Sequence, residues 1–401
     1  MLKKRIKNTS LVIALILTSF TAGLNIHPFI ANASDSGFGL FLRAYDILSL
    51  EYLNGINNEK LVQGAIKGMI KATGDPYTRY LSPEDYKKMT EEIQGSFTGI
   101  GIQIGIRNKN NKNELTIISS IENSPASKSD LQSGDIILEI NNNLVKDLSV
   151  DQAVDLIKGI KGTAVNLKIY RESIKKVLEK TIIRDNITPI IVKSKILENK
   201  IGYISLSTFM NHEASNEVKN AINNLKKNNI KALIFDLRGN PGGLLTNAIN
   251  ISNMFIKSGS IVQIVDKKGE KEYINASGKI ELPLETPIAL LVDEGSASAS
   301  EIVSGALKDN NRAILIGTKT FGKGLVQSTF NLDDGSGIVI TTNKYLTPNG
   351  TDINKKGIEP NIVVEIPKNI QTNISKPFNL DKNDTQLKKA LVILREKIKE
   401  N

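Results

Sequence analysis

The sequence predicts an α/β fold for the second half of the chain, because two strand–turn–helix units occur there. Residues 288–292 form an almost continuous apolar run, and after a turn the apolar residues recur at helical spacing from Ile302. Residues 232–237 form a second apolar run, followed by a glycine-rich turn at 238–243 and another helical pattern. Short continuous apolar runs are typical of strands buried on both faces of a parallel sheet. A length of 401 residues leaves room for further domains before this part.

Composition excludes several classes of protein. Apolar residues make up 40% and charged residues 23% of the chain, as in an ordinary globular protein. The net charge of +10 comes from lysines spread along the chain, and there is no Trp, so we expect no nucleic-acid partner. There is no Cys and there are only two His residues, one of them His27 near the start of the chain. We therefore expect no disulfide, no metal site and no cofactor.

Residues 1–33 are predicted to be a targeting segment. Four basic residues within the first seven precede an apolar run over residues 11–24, and Ala31-Asn32-Ala33 supplies a small-residue cleavage site. The apolar run suits the core of a signal peptide better than a membrane span, which needs about 20 residues. An uncleaved anchor, with membrane association through the N-terminus, is the alternative. In either case we expect an extracytoplasmic protein, secreted or anchored at the outer face of the cytoplasmic membrane.

Residues 34–94 have helical spacing, and residues 95–181 read as a series of strands. A polar break at 54–58 separates two helical patterns, and Pro83 is placed for the first turn of a third helix. Such a helical region is commonly a packing or dimerisation element, so a homodimer is expected. The next region begins with the glycine-punctuated stretch 97–105 and contains one helix near Val154.

The serines between Gly295 and Leu307 are the first candidates for chemistry. They lie where the predicted strand 288–292 turns into a helix, so unpaired backbone N–H groups and the positive end of the helix dipole collect there. A serine at such a point is a candidate nucleophile whose oxyanion meets ready donors. An N-cap serine with small neighbours for close packing is the structural alternative.

Few residues are available as a base for such a serine. His212 is the one histidine outside the leader, but the polar stretch 210–216 reads as a solvated loop or a helix start, and it lacks the second His of a zinc protease. A lysine is the other candidate, provided that desolvation lowers its pKa from about 10.4 towards 7–8. Lys323 meets this condition best, because it lies among glycines and apolar residues.

Two motifs together resemble the core of the carboxyl-terminal processing peptidases, also called tail-specific proteases. They are residues 295–301, Gly-Ser-Ala-Ser-Ala-Ser-Glu, and residues 320–327, Thr-Phe-Gly-Lys-Gly-Leu-Val-Gln, and the likeness extends over residues 38–366. The resemblance implies a serine endopeptidase with Ser298 as nucleophile, Lys323 as general base and Gln327 orienting that lysine. It also implies an oxyanion hole formed by the N–H groups of Ala299 and of Gly242 or Gly243.

Residues 95–181 resemble a PDZ domain in the strand order of bacterial proteases. The glycine-rich run 97–101 is similar to the carboxylate-binding loop, so Gly99, Ile100 and Gly101 are predicted to bind the C-terminal tail of a protein substrate. Glycines let backbone N–H groups converge on an anion, and the following strand can pair with an extended tail. Arg171, just after the last strand, is expected to be an exposed arginine, and a role in sensing the bound tail is the alternative.

The predicted fold class is α/β, with an α+β catalytic core of the crotonase/ClpP-like kind, an N-terminal helical segment and an inserted PDZ domain. The predicted order is a signal peptide or anchor (1–33), a helical region (34–94), a PDZ domain (95–181), a serine peptidase core (182–366) and a helical tail (367–401). Asp236 and Arg238 are expected to brace the loop that follows them. The apolar face of the tail is expected to contact another subunit.

The predicted function is an exported endopeptidase that recognises protein C-terminal tails and cleaves near them. A catalytically silent PDZ adaptor is the first alternative, and a crotonase-like acyl-CoA enzyme is the second, because that superfold also has strand–turn–helix units and oxyanion turns. An acyl-CoA enzyme would need neither a leader nor a PDZ domain.

Overall fold

The computed structural model describes residues 37–109, 112–367 and 383–400, so the predicted leader lies outside the described residues. The chain divides into two compact units, residues 1–80 and 81–401. The first unit contains helices α1 (Gly37–Glu51) and α2 (Asn58–Ala72), as the helical spacing predicts, and strand β1 (Arg79–Leu81) begins at its end. Neither helix has a buried residue, and Leu53, just after α1, is 94% exposed.

Helix α3 (Pro83–Gln94) opens the second unit, with Pro83 in its first turn as predicted. The Ser82 hydroxyl accepts a hydrogen bond from the Asp85 N–H at 3.1 Å, which satisfies one of the free donors at the helix start. The helix ends at Gly95, whose φ of +73° favours glycine. A Cβ at this position would lie 2.3 Å from the Asn211 side chain, so glycine is also required for space.

Residues 97–187 form an antiparallel sheet domain with one main helix. Its elements are β2 (Phe97–Gly99), β3 (Ile102–Lys109), β4 (Lys112–Ser120), α4 (Pro125–Lys128), β5 (Ile136–Ile140), β6 (Asn143–Leu144), α5 (Val150–Ile157), β7 (Ala164–Arg171), β8 (Lys176–Ile183) and β9 (Asp185–Ile187). The sheet order is β3-β4-β5-β7-β8, with β6 beside β5, so β3 is an edge strand. Strands β2 and β9 pair separately, and they join the start of the domain to its end.

Arg171 is buried, so the expectation of an exposed arginine is wrong. Its Nε and Nη2 donate to the two carboxylate oxygens of Asp135 at 2.8 and 2.9 Å, and Nη2 also donates to the Asp130 carbonyl. Hydrogen bonding to the Asp135 carboxylate raises the pKa of Arg171 above its ordinary value, against the effect of burial. Arg171 therefore fixes the β4–β5 connection to strand β7. Its guanidinium N–H groups donate to partners within the domain.

After residue 187, the described part of the chain contains two sheets and four α-helices. Its elements are β10 (Val192–Ile196), β11 (Ile201–Leu206), α6 (Ala214–Lys227), β12 (Ala232–Asp236), α7 (Leu245–Asn253), β13 (Ser260–Val265), β14 (Lys271–Asn275), β15 (Ile288–Val292), α8 (Ala299–Asp309), β16 (Ile314–Gly317), β17 (Leu325–Asn331), β18 (Gly337–Leu346), β19 (Ile362–Val363) and α9 (Thr385–Glu400).

The predicted parallel sheet is present, in the order β10-β11-β12-β15-β16-β19. All neighbours in it are parallel except the edge pair β10–β11. Helices α6, α7 and α8 cover one face, and every residue of β11, β12 and β15 is buried. The carboxyl ends of these central strands lead into the two glycine-rich turns, which places both turns at one edge of the sheet.

A second, antiparallel sheet was not predicted from the sequence. Within residues 81–401 it runs β14-β13-β18-β17, and residues 318–324 form the loop that leads into β17. This sheet brings β18, and with it Tyr345, next to that loop, because the Tyr345 N–H donates to the Gly324 carbonyl at 3.0 Å. Lys323 is therefore held between the two sheets.

The C-terminal helix α9 packs on this chain's own sheet, so the expectation that its apolar face contacts another subunit is wrong. Leu387, Ala390 and Leu394 are buried against the face of the parallel sheet opposite α6–α8. Burial of these side chains removes apolar surface from water and stabilises the docked helix.

Arg238 and two carboxylates fix the start of α9 to the sheet. Arg238 Nη2 lies 2.6 Å from Asp236 Oδ2, and Nη1 lies 2.8 Å from Asp384 Oδ2. Tyr203 donates to the same Asp236 oxygen at 2.7 Å. Burial disfavours the charge of Arg238, but the two carboxylates outweigh burial and raise its pKa above the ordinary value. Asp236 and Arg238 thus brace the loop, as predicted, and they also hold the C-terminal helix.

We expect Asp384→Asn to lower the free energy of unfolding by about 1–3 kcal/mol, because Arg238 loses one of its two buried carboxylates. Asp384 also caps α9, with Oδ1 accepting the Leu387 N–H at 2.9 Å. Asn caps helices as well as Asp does, so the substitution removes the charge and keeps the cap. Urea unfolding measures the change, and the exposed Glu396→Gln on the same helix is the control. Equal stability of the two variants would show that the ion pair contributes nothing.

Candidate active site

Three serines lie where β15 leads into α8, Ser296 and Ser298 on the turn and Ser300 in the first turn of the helix, and the structure gives them different environments. Ser296 is fully buried and donates to the Leu237 carbonyl at 2.8 Å, and Ser300 is fully buried and donates to the Asn240 carbonyl at 2.9 Å. Both hydroxyls therefore connect this turn to the turn that follows β12. Ser298 is half-buried, and it is the serine of the three that solvent and a substrate can reach.

The backbone of Ser298 has a conformation that is rare for any residue except glycine. Its φ is +54° and its ψ is −113° at the position just before α8 begins. Such a conformation costs on the order of 1–3 kcal/mol and is held by its surroundings, which is typical of active sites. A nucleophilic serine on a sharp strand-to-helix turn of α/β hydrolases is presented in the same manner. This is the geometry expected of an exposed nucleophile.

The turn at 239–243 lies directly against Ser298. A Cβ at Gly242 would lie 2.6 Å from the Ala297 carbonyl oxygen and 2.8 Å from the Ser298 Cβ, so only glycine fits there. Asn240 joins the two turns, because its carbonyl accepts the Ala297 N–H at 3.0 Å. Its side chain accepts the Gly242 N–H at 2.9 Å.

The predicted oxyanion donors are therefore brought together but are not equivalent. The Gly242 N–H is already used by Asn240. Ala299 is the first residue of α8, where a backbone N–H has no partner within the helix. Gly243 follows Gly242 with φ of +145°. Of the two glycines that the sequence left open, Gly242 thus has its N–H engaged, and the oxyanion role of either glycine stays a prediction.

Glu301 connects the turn of Ser298 to the loop of Lys323. The Ser298 N–H donates to Glu301 Oε2 at 3.0 Å, and the Lys323 N–H donates to the same oxygen at 2.8 Å. The other oxygen, Oε1, accepts the Thr320 hydroxyl at 2.6 Å and the Gly322 N–H at 2.7 Å. A fully buried carboxylate with four donors thus places the two predicted dyad residues side by side, although 25 positions separate them.

The role of Glu301 was missed from the sequence, although a signal for it was present. A serine followed three positions later by a glutamate at the start of a helix is the pattern of a capping box, in which the glutamate reaches back to the N-cap N–H. Ser298 and Glu301 fit this spacing, and the contact with the Ser298 N–H is present. The bonds to residues 320–323 come from a distant loop that the local pattern does not reveal.

Gln327 and His212 lie in different surroundings. Gln327 is on β17, and its Nε2 lies 3.5 Å from Thr341 Oγ1, so its role in orienting Lys323 stays a prediction. His212 is exposed, with Nδ1 2.9 Å from the Ile93 carbonyl oxygen and Nε2 3.2 Å from Glu213. Both ring nitrogens thus have partners, one at the end of α3 and one in the neighbouring Glu213, which disfavours the alternative of a Ser–His–Asp triad.

The predicted tail-binding loop lies between β2 and β3. The carbonyl oxygens of Ile100 and Gly101 accept hydrogen bonds from the Ala126 and Ile121 N–H groups, at 2.8 Å each. Gly101 has φ of +79°, and a Cβ there would lie 2.3 Å from Ser124 Cβ. The loop is therefore fixed from one side and leads into the open edge of β3, which is the arrangement that adding a peptide strand requires. The Ile100 side chain itself belongs to the domain core.

In ranges 37–109, 112–367 and 383–400, no three His, Cys, Asp or Glu side chains form a group able to hold a metal ion. In the same part of the chain, no helix combines the length and the hydropathy that crossing a membrane requires.

Comparison with known proteins assigns families to three segments. A profile of peptidase family S41 matches residues 200–364, and a PDZ domain profile matches residues 88–170. A profile described as the activating protease CtpB N-terminal domain matches residues 31–85.

Two curated proteins of Bacillus subtilis are similar over most of their length. The carboxy-terminal processing protease CtpA is 40% identical over 359 residues, which cover 89% of this chain and 75% of that protein. The carboxy-terminal processing protease CtpB is 36% identical over 360 residues, covering 88% of this chain and 74% of that protein.

Two solved structures share the architecture. The photosystem II D1 C-terminal processing protease is 29% identical, with a TM-score of 0.50 over 82% of this chain and 94% of that chain. An S41 protease of Bacteroides fragilis is 17% identical, with a TM-score of 0.56 over 82% of this chain and 90% of that one, and shows the shared fold.

Fold, turn geometry and comparisons define a serine-type peptidase with a PDZ domain. The chain belongs to the carboxy-terminal processing proteases of peptidase family S41. The resemblance and the fold class predicted from the sequence are thereby confirmed. The alternative of an acyl-CoA enzyme is wrong, because the core matches a peptidase family.

Proposed function

We propose that this chain is an exported endopeptidase that cleaves peptide bonds near protein C-termini, with Ser298 as nucleophile and Lys323 as general base. The observation that supports the proposal is the shared Glu301 carboxylate, whose Oε2 accepts the backbone N–H groups of both the strained, accessible Ser298 and Lys323. A nucleophile and a base held next to each other are the minimum that acyl transfer requires.

The reaction follows from these positions. The Ser298 hydroxyl oxygen attacks the carbonyl carbon of the scissile bond while its proton passes to the neutral Lys323 amine. The N–H groups of Ala299 and Gly243 bind the oxyanion of the tetrahedral intermediate. The lysine then returns the proton to the leaving amine, and an acyl-enzyme remains on Ser298. Attack by water on the acyl-enzyme, with Lys323 again taking a proton, releases the second product and restores the serine. Gln327 orients the lysine in this scheme.

The PDZ domain supplies substrate selection in this proposal. Backbone N–H groups around Gly99, Ile100 and Gly101 bind the terminal carboxylate, and the edge strand β3 pairs with the extended tail. Ile102 and Ile104, half-buried against the domain core, lie along β3 and favour tails that end in small or aliphatic residues. A tethered tail also has a raised effective concentration at Ser298.

We also propose a cellular location and an oligomeric state for this enzyme. The leader at residues 1–33 directs the enzyme to the outer side of the cytoplasmic membrane, where the N-terminus either anchors it or is removed. The apolar side chains exposed on α1 and α2, Leu50 and Met69 among them, are the surface through which a homodimer forms.

Covalent labelling with a fluorophosphonate probe tests the catalytic proposal. We expect the probe to attach to Ser298, as read by mass spectrometry of proteolytic fragments, because only an activated serine reacts. Folded protein that neither reacts with the probe nor cleaves tailed model substrates would support the catalytically silent PDZ adaptor instead.

We expect amidation of a substrate's C-terminus to slow cleavage by at least about tenfold, equivalent to roughly 1.4 kcal/mol, because the tail loses the charge that the loop binds. Cleavage of a substrate whose tail ends in Asp or Lys should be slower by a similar factor. The measurement is kcat/KM for a matched pair of peptides that differ only at the terminus. Equal rates for free and amidated tails would show that the domain does not select substrates by their carboxylate.

A pair of variants separates tail binding from chemistry in this experiment. Ile104→Gln, on the edge strand, should raise KM for the free tail, whereas Ile174→Gln should leave it unchanged. Ile174 is exposed in the turn between β7 and β8, beside β8 at the opposite edge of the sheet. Binding of both peptides to Ser298→Ala, followed by fluorescence anisotropy, reports affinity without cleavage.

A further inference from the structure

Tyr345 joins the turns of the two proposed dyad residues through their carbonyl groups. Its hydroxyl oxygen lies 3.0 Å from the Ser298 carbonyl oxygen and 2.6 Å from the Lys323 carbonyl oxygen. The residue is on β18, and its side chain is 1% exposed within the main core. Glu301 therefore accepts the N–H groups of both dyad residues, and Tyr345 faces both of their carbonyl groups.

The phenol acts as a donor in this position. Burial, together with the charge of Glu301, raises the pKa of Tyr345 well above its ordinary value, so the proton stays on the oxygen. A phenol has one proton, which it shares between the two carbonyls or gives to the nearer one, that of Lys323. The Ser298 carbonyl also accepts the Glu301 and Ile302 N–H groups at 2.8 and 3.0 Å.

The geometry has a specific consequence for the direction of both side chains. The N–H and the C=O of one residue belong to the two different peptide planes that flank its Cα atom. When both planes are held, φ and ψ of that residue are fixed, and so is the direction of its Cα–Cβ bond. Glu301 and Tyr345 together hold both planes at Ser298 and both planes at Lys323.

We propose that the Tyr345 hydroxyl is a positioning residue that keeps Ser298 and Lys323 in the orientation needed for proton transfer between them. This inference rests on the proposed function of the dyad. The strained φ of Ser298 gives the proposal its physical reason, because such a backbone relaxes unless its surroundings hold it. Without the hydroxyl, the Lys323 carbonyl loses its Tyr345 donor and the Ser298 carbonyl keeps only the helix N–H groups of Glu301 and Ile302. The Ser298–Lys323 approach then becomes longer or less well aligned.

Tyr345→Phe tests this inference, because it keeps the buried ring and removes only the oxygen. We expect kcat to fall about 10- to 100-fold with KM unchanged. The rate of fluorophosphonate labelling at Ser298 should fall in parallel, because it depends on the same activation. The pH at which labelling reaches half its maximum should move to higher pH, because a lysine released towards solvent is less desolvated and keeps its proton to a higher pH.

Tyr203→Phe is the matched control. Tyr203 is also buried in the peptidase core, and its hydroxyl donates to Asp236 at 2.7 Å. This variant should lose stability, as measured by Tm, while its pH profile stays that of the unmodified enzyme.

The outcomes separate this inference from the function on which it rests. Substantial cleavage by Ser298→Ala would overturn the dyad itself, whatever Tyr345→Phe does. If Ser298→Ala is inactive and Tyr345→Phe keeps full kcat and the same pH profile, only the positioning role is overturned. Failure of Tyr345→Phe to fold, when Tyr203→Phe folds, would also overturn it, because the hydroxyl would then serve the fold.

Discussion

Ser298→Ala and Lys323→Ala are each expected to lower kcat by at least about 10⁴-fold, while the protein stays folded. Alanine at 298 cannot form the acyl-enzyme, and alanine at 323 leaves the serine proton without an acceptor. Because the two side chains act as one unit, the double variant should be no slower than the slower single variant. Single-turnover cleavage of a tailed model protein, with circular dichroism to confirm the fold, measures both effects.

The chain supplies matched controls for both substitutions. Ser296→Ala removes a hydroxyl that donates to the Leu237 carbonyl and accepts the Asp293 N–H, and Ser300→Ala removes one that donates to the Asn240 carbonyl. Each variant should lose about 1–2 kcal/mol of stability while cleavage continues. Lys319→Ala changes an exposed lysine that pairs with Glu359 at the surface. Substantial cleavage by Lys323→Ala would contradict the proposed base. A loss of activity in Ser296→Ala equal to that in Ser298→Ala would contradict the assignment of the nucleophile.

The features of the fold that depend on residues adjacent in the chain could be predicted from the sequence. The apolar runs of β12 and β15 and the glycine-rich turns after them predicted a parallel sheet with both turns at one edge, and this is the observed arrangement. The crowding at Gly242 shows why a glycine is needed there, since any Cβ would collide with the Ser298 turn. Local patterns carry this information because a buried strand and a tight turn each constrain consecutive residues.

The features that the sequence did not predict depend on pairs that are distant in the chain. Arg171 looked like a surface residue after a strand, but its partner Asp135 lies 36 positions earlier. The apolar face of α9 looked like a contact between subunits, because nothing local shows that Arg238 and Asp384 dock this helix on its own sheet. Tyr345 belongs to a sheet that was not predicted, so its approach to Ser298 and Lys323 could not be anticipated.

Glu301 is the residue outside the dyad whose substitution should have the largest effect. Both of its oxygens are fully used, with Oε1 accepting from Thr320 and Gly322 and Oε2 accepting from Ser298 and Lys323. Glutamine has nearly the same shape, but one of its two oxygens is replaced by an NH₂ group that can only donate. Whichever way the amide is turned, that NH₂ faces two donors. Two buried donors therefore lose their acceptor in either orientation.

We expect Glu301→Gln to lower the free energy of unfolding by about 2–5 kcal/mol, because each buried donor without an acceptor costs about 1–3 kcal/mol. We also expect kcat to fall by about 10²- to 10³-fold at a temperature where the variant is folded, because the Ser298 and Lys323 turns lose their common anchor. Urea unfolding and steady-state cleavage measure the two effects. Glu294→Gln, an exposed glutamate on the same β15–α8 turn, is the control and should change neither. If Glu301→Gln keeps the stability and kcat of the unmodified enzyme, then the shared carboxylate does not hold the dyad in place.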